Sequence, residues 1–395
     1  MKKQLIISFF LLPGTAFTQA STTGAISVLQ KVRAKLEKAN IISYHHSRET
    51  HYYADNYTSQ FEADLYIDFK GTGPLGLRFQ ADEQKAAFVY DGQRTLRLNK
   101  DDLTIDSASA ISYRSIQNNS YLYHSLAMLR RAIPLIIVND SLRKSVSDTV
   151  IKNKKYYNVR MEGNGMYFTL LGDIDHYTAK DLKRPYYLLI DKKTFLPYQF
   201  IAKYVRGIDD RDFVTVTYSD INTRPAAPPA ISWEYASYAD RYKPYVAPVK
   251  IPIVKPGTVL SDFTLPAYNP TRIDSMPLSR YKGKVVLLDF WFKSCGPCME
   301  AMPHYNQLQN EFKKQGFELL TINVEDPVAD IKYFYEKYFP VYHMMYGGGK
   351  LWRSLGFTGC PSSVLLDRNG KVVEVIYGFD KEEISKKITS LLKQD

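Results

Sequence analysis

Two cysteines stand two residues apart, Cys295 and Cys298, inside FWFKSCGPCMEAMP (290–303), between an apolar run and a stretch of helical spacing. Thiols so spaced can exchange electrons with other disulfides, clip a metal ion, or serve as ordinary structure. Structural zinc normally takes four fixed ligands, and the residues available to complete a set are a third cysteine, Cys360, and His304, so a metal site is disfavoured. Redox chemistry makes a sharper demand. At the first turn of a helix, Cys295 would face unpaired backbone amides and the positive end of the helix dipole, which favour thiolate over thiol. Thiols seated that way titrate at roughly 3.5 to 7.5 instead of near ~8.5.

The elements that would position such a pair can be read around it. KVVLLDFW (284–291) is an apolar run of buried-strand length, residues 298–314 are helix-like, and FELLTINV (317–324) reads as a second strand. A helical stretch (329–338) follows, then SSVLLD (362–367) and KVVEVIYG (371–378) around the turn Arg368-Asn369-Gly370, and a last helix over 381–393. The pattern predicts a mixed sheet flanked by helices. GGGK (347–350) lacks the spacing of a phosphate loop and is expected to form a turn.

PGTVLSDFTLPAYN, RYKGKVVLLDFW, the CGPC pair and GCPSSVLLDRNGKV occur in the order found in thioredoxin-like proteins of the TlpA/ResA type, which residues 256–395 closely resemble. The resemblance implies an α/β thioredoxin fold and a thiol-disulfide oxidoreductase. Its catalytic set would be Cys295 as nucleophile, Cys298 as the deeper, resolving thiol, and Asp289, matching a buried aspartate that takes the proton from Cys298. Trp291, Gly296, Pro297, Cys360 and Pro361 would lie around the substrate: Trp291 bracing the loop, Gly296-Pro297 as the dipeptide of reducing thioredoxins, and Pro361 as a cis-proline beside the incoming polypeptide. No prosthetic group is implied beyond the redox-active Cys295–Cys298 disulfide, and no metal. Ser294 replaces the usual tryptophan before the first cysteine, and Ala301 replaces an acid of ResA-type proteins, so haem-motif specificity is not implied. Cys360 is either a third redox thiol or a small residue filling the site.

The remaining two thirds of the chain have another character. Lys2 and Lys3, an apolar stretch from Leu5 to Leu12 and small residues ending at Ala20 make 1–20 a secretory signal peptide, which places the protein in the periplasm or otherwise outside the cytoplasm. All three cysteines fall after residue 294, so 21–222 must fold by packing without disulfide staples. After an amphipathic helix (26–38) come strand-like runs at 61–69, 75–81, 86–98, 156–163, 167–172, 186–205 and 212–221, interrupted by a helical stretch at 121–137. This predicts an α+β N-terminal domain with a curved antiparallel sheet. YDGQRTLRL and LLIDKKTFLPYQF, with the strand order, resemble in outline the LolA-like carriers, which implies a lipid or acyl ligand in the concave sheet. His45, His46 and His51 are expected at the surface. Residues 223–255, dense in proline, read as a linker whose Trp233, Tyr235, Tyr238, Tyr242 and Tyr245 suggest packing on a domain surface.

The chain carries 52 Lys and Arg against 41 Asp and Glu, a formal +11, but no basic block or nucleic-acid motif accompanies the excess, so a nucleic-acid partner is not expected. The expected function is an exported reductase of disulfide-containing client proteins, recharged by a membrane thiol carrier of DsbD or CcdA type. The alternative is a lipid- or client-binding carrier or chaperone module with an appended redox domain.

Overall fold

The computed structural model describes residues 22–109, 111–116, 119–177, 182–206, 209–225, 231–247 and 251–393; the leader expected at 1–20 lies outside the described residues. The chain divides into two units: one runs to His51 and from Ser59 to Tyr245, the other holds Tyr52–Thr58 and everything from Val246. Among the described residues no helix is long and apolar enough to cross a membrane.

In the first unit, helix Thr22–Lys38 buries Ala25, Val28, Leu29, Val32 and Leu36, a stripe at three- and four-residue spacing. A second helix, Leu126–Val138, starts later than the periodicity suggests because Ser125 caps it, its hydroxyl accepting the Met128 N–H. Both helices pack on one large sheet. On one side of Ile41–Tyr52 the chain meanders through Tyr57–Asp68, Arg78–Asp82, Ala86–Tyr90, Thr95–Asn99 and Thr104–Ala108. On the other side follow Asp209–Asn222, Pro197–Arg206, Tyr186–Asp191, Lys154–Glu162 and Arg143–Ile151, every one of these pairings antiparallel.

The helix-covered face is filled by side chains such as Leu29, Leu36, Phe79, Ile133 and Phe200. On the opposite face Ala87, Val89, Leu96, Leu98 and Ile105 are covered by Tyr238 and Tyr242, with Ile231, Trp233 and Tyr235 at the margin, so the aromatic half of the proline-dense stretch is packed. The surface expectation for His46 fails: Ile42, Tyr44 and His46 lie on the same side of their strand, so the period of two carries His46 into the core with them, fully buried.

The second unit holds β1 (Thr264–Asn269), β2 (Arg272–Pro277), β3 (Val285–Trp291), α1 (Gly296–Phe312), β4 (Phe317–Asn323), α2 (Val328–Tyr338), β5 (His343–Met345), α3 (Gly349–Ser354), β6 (Ser362–Leu366), β7 (Val372–Tyr377) and α4 (Lys381–Leu392). The sheet order is β2-β1-β5-β4-β3-β6-β7, with β3/β4 and β4/β5 parallel and the other pairs antiparallel. GGGK turns at Gly347, where φ is 74°, and then enters α3 instead of remaining a turn throughout.

All seven residues of β3 are buried, because the sheet is covered on both faces. Val285, Leu287 and Trp291 join the core that contains α1, α2 and α4, while Val286, Leu288 and Phe290 join the core of the opposite face. Asp289, in step with Leu287 and Trp291, is thereby pointed at α1.

Candidate active site

The strand ends at Trp291 and four residues deliver the chain into α1. This connection is pinned: the Lys293 N–H donates to Asp326 Oδ2 at 2.7 Å, the Lys293 ammonium meets Asp330 at 2.7 Å, and Asn323 also donates to Asp326 Oδ2. Cys295 N–H closes the turn on the Phe292 carbonyl at 3.1 Å. Cys295 is the residue that caps α1, and its Sγ accepts the Cys298 N–H at 3.2 Å. The sulfur therefore occupies the place of a capping oxygen, against backbone donors that an anion satisfies best. Pro297 falls in the first turn, where its missing N–H costs nothing, and Pro303 inside α1 leaves the Met299 carbonyl without its usual donor.

Cys295 and Cys298 are joined, with S–S 2.03 Å and Cα–Cα 5.2 Å. Cys298 is wholly buried and Cys295 only 5% exposed, whereas Ser294, Gly296 and Pro297 are exposed. A Cβ added at Gly296 or Gly359 would meet nothing within 4 Å, so the backbone at these two exposed residues is uncovered. Pro361 follows a cis peptide bond after Cys360, and its carbonyl accepts the Gly378 N–H at 3.0 Å. Trp291 is fully buried and meets the Phe334 ring edge-on at 5.3 Å, under the loop instead of on its surface. Glu300 is exposed and Ala301 buried, so no acid points inward one turn after Cys298.

Asp289 is fully buried. Ser363 Oγ donates to its Oδ1 at 2.7 Å and the Tyr305 hydroxyl to its Oδ2 at 2.6 Å. Burial pushes its pKa up to about 6, while the two hydroxyl hydrogen bonds pull it down. Cys360 is free and partly buried, and burial, reinforced by the charge of Asp289, pushes its thiol up to about 12. It is therefore a neutral thiol at ordinary pH.

Every residue singled out around CGPC lies in this unit. Tyr305, Ser363, Asp326 and Asp330 are additions from the structure. Ser363 could have been found only from strand register, since it lies opposite Asp289 on β6. Tyr305 had a local signal, its seven-residue spacing from Cys298 on one helix face.

The redoxin family pattern matches residues 255–392. The thiol-disulfide oxidoreductase ResA of Geobacillus thermodenitrificans is 35% identical over 118 residues, which are 29% of this chain and 67% of that protein. Its counterpart in Halalkalibacterium halodurans is 30% identical over 125 residues, 31% of this chain and 70% of that protein. A solved Chlorobium tepidum chain, provisionally named a thiol:disulfide interchange protein DsbE, shows 32% identity over 35% of this chain and 99% of its own, with a TM-score of 0.33. A bonded CxxC pair at the head of a helix, carried by a segment that extends over two thirds of these oxidoreductases, has one family meaning. Through residues 255–392 the chain belongs to the ResA-type thiol-disulfide oxidoreductases, thioredoxin-like redox enzymes that work by dithiol exchange.

Proposed function

We propose that the protein is an exported reductase of protein disulfides. The observation that carries this reading is the seat of Cys295 Sγ at the α1 cap, accepting a backbone N–H and bonded to a fully buried Cys298. In the reduced enzyme the Cys295 thiolate attacks one sulfur of a client disulfide, the client S–S bond breaks, and a mixed disulfide forms. The Cys298 thiol then gives its proton to Asp289, and its sulfur attacks Cys295 Sγ. The bond from Cys295 to the client breaks and the Cys295–Cys298 bond forms. The electron pair leaves on the client sulfur, which takes up a proton; the client gains two electrons and the enzyme pair loses them. Gly296 and Pro297, exposed beside Cys295, would meet the client, with Pro361 behind its cis bond shaping the facing loop; Trp291 supports the loop from beneath, and Cys360 stays out of the exchange as a neutral thiol.

Sustained reduction outside the cytoplasm requires an electron donor, for which a membrane thiol carrier of DsbD or CcdA type fits. The amino-terminal lysines and apolar stretch support export. A second reading assigns the first unit a lipid, acyl or client ligand. Its support is the long antiparallel sheet with two helices on one face, an outline like that of the LolA-like carriers.

Insulin reduction by the full chain tests the first reading. The wild type should turn over and Cys295→Ser should lose roughly a thousandfold or more. An active Cys295→Ser chain would remove Cys295 from the mechanism, and an inactive wild type would refute the reductase.

A further inference from the structure

Asp289 is gripped from two directions. Ser363 reaches it by register, opposite on β6, and Tyr305 reaches it from α1, two turns beyond Cys298 on the same helix face. Both contacts are short hydroxyl-to-carboxylate bonds, 2.7 and 2.6 Å, the charge-assisted kind that favours the ionised acid. Both donors are themselves fully buried, and the Tyr305 ring is fixed edge-on by Tyr342 at 5.7 Å and by Phe379 at 5.2 Å.

The titratable groups that face Asp289 are Tyr305 from α1, Tyr342 from the segment ahead of β5 and Cys360 from the turn ahead of β6. From β4 the residue in register is Thr321. None of these is a cation, so the hydroxyls are what offsets burial of the charge.

We propose that Tyr305 and Ser363 are positioning residues that set the proton affinity of Asp289, and with it the pH range in which Cys298 can release a client. The inference rests on the reading of Asp289 as the acceptor of the Cys298 proton. Without the two hydroxyls a carboxyl in this core would hold its proton at neutral pH and have no room for another.

The test uses the full chain labelled with ¹³C at aspartate carboxyls, with the Asp289 resonance assigned by its loss in Asp289→Asn. Tyr305→Phe keeps the ring and should move the Asp289 midpoint up by about one to two pH units, the size expected for one hydrogen bond to a charge. Ser363→Ala should move it in the same direction, and Ser363→Thr should restore it. The acidic limb of the insulin-reduction profile should shift by the same interval, and Tyr305→Phe should add nothing in an Asp289→Asn background. An Asp289 midpoint that stays in place in both Tyr305→Phe and Ser363→Ala overturns the proposal, as does a moved midpoint with an unmoved rate profile. A wild type inactive on insulin would fail the reductase reading instead, and the carboxyl titration would then decide the role of the pair by itself.

Discussion

His46 in the first unit and Asp289 in the second are both fully buried, yet neither nitrogen of the imidazole has a partner while each oxygen of the carboxyl has a hydroxyl. Burial drives each toward its neutral form. His46 is pushed down from 6.5 to about 3, with Arg48 and His45 adding to the effect, and Asp289 is pushed up from 3.8 to about 6 against its hydrogen bonds. The histidine is thereby removed from any useful titration range, whereas the carboxyl is kept near the pH at which thiols must be deprotonated. Desolvation alone makes a buried group inert; desolvation balanced by hydrogen bonds makes it a proton acceptor.

The two groups also tilt stability in opposite directions. Folded Asp289 holds its proton at pH values where the unfolded chain has lost it, so its contribution is present below 3.8 and is lost as pH rises through about 6. Folded His46 refuses a proton that the unfolded chain takes, so its contribution is present above 6.5 and is lost as pH falls toward 3.

The largest effect that would break this contrast is expected from Asp289→Asn, which removes the buried charge. It should stabilise the second unit at pH 7 by as much as ~3 kcal/mol, a gain that vanishes below about pH 4. Amide exchange of β3 in the full chain would read it, and a gain equal at both pH values would contradict the assigned charge. His46→Leu should sharpen the other side: about 1 kcal/mol of stabilisation at pH 7 and loss of the acid sensitivity, which in the wild type amounts to ~1.4 kcal/mol per pH unit below 6.5. Denaturant midpoints taken across pH 4 to 7 would show whether the slope disappears. The smallest effect is the control, Glu37→Ala, which breaks the 2.8 Å pair of Arg33 and Glu37; both are more than 40% exposed, so the change should stay under ~0.5 kcal/mol in thermal unfolding.

What could be read from the chain alone follows the same physics. β3, β4 and β6 announce themselves as apolar runs because every residue in them is buried, and a sheet covered on both faces admits little else. The cysteine pair is legible for a similar reason, since its chemistry is local: sulfur, cap and helix start lie within four residues. β1 and β2 carry Pro266, Asn269, Asp274 and Ser275 among their apolar positions, and β5 has three residues, so neither pattern rises above that of a loop. His46 illustrates a different loss, since adjacent histidines must face opposite ways on a strand and which one turns inward depends on Ile42 and Tyr44 beside it. Of the two donors that grip Asp289, Tyr305 left a trace in its helical spacing from Cys298, while Ser363, 74 positions from Asp289 along the chain, is placed only by strand register.

One atom pair at the cap has a practical use. The amide that steadies Cys295 Sγ belongs to the main chain of Cys298, so a serine at that position keeps the support and discards only the thiol that would set a captured protein free. The Cys298→Ser chain is therefore a covalent bait: what it holds in the cell can be purified, eluted with a reductant and named by mass.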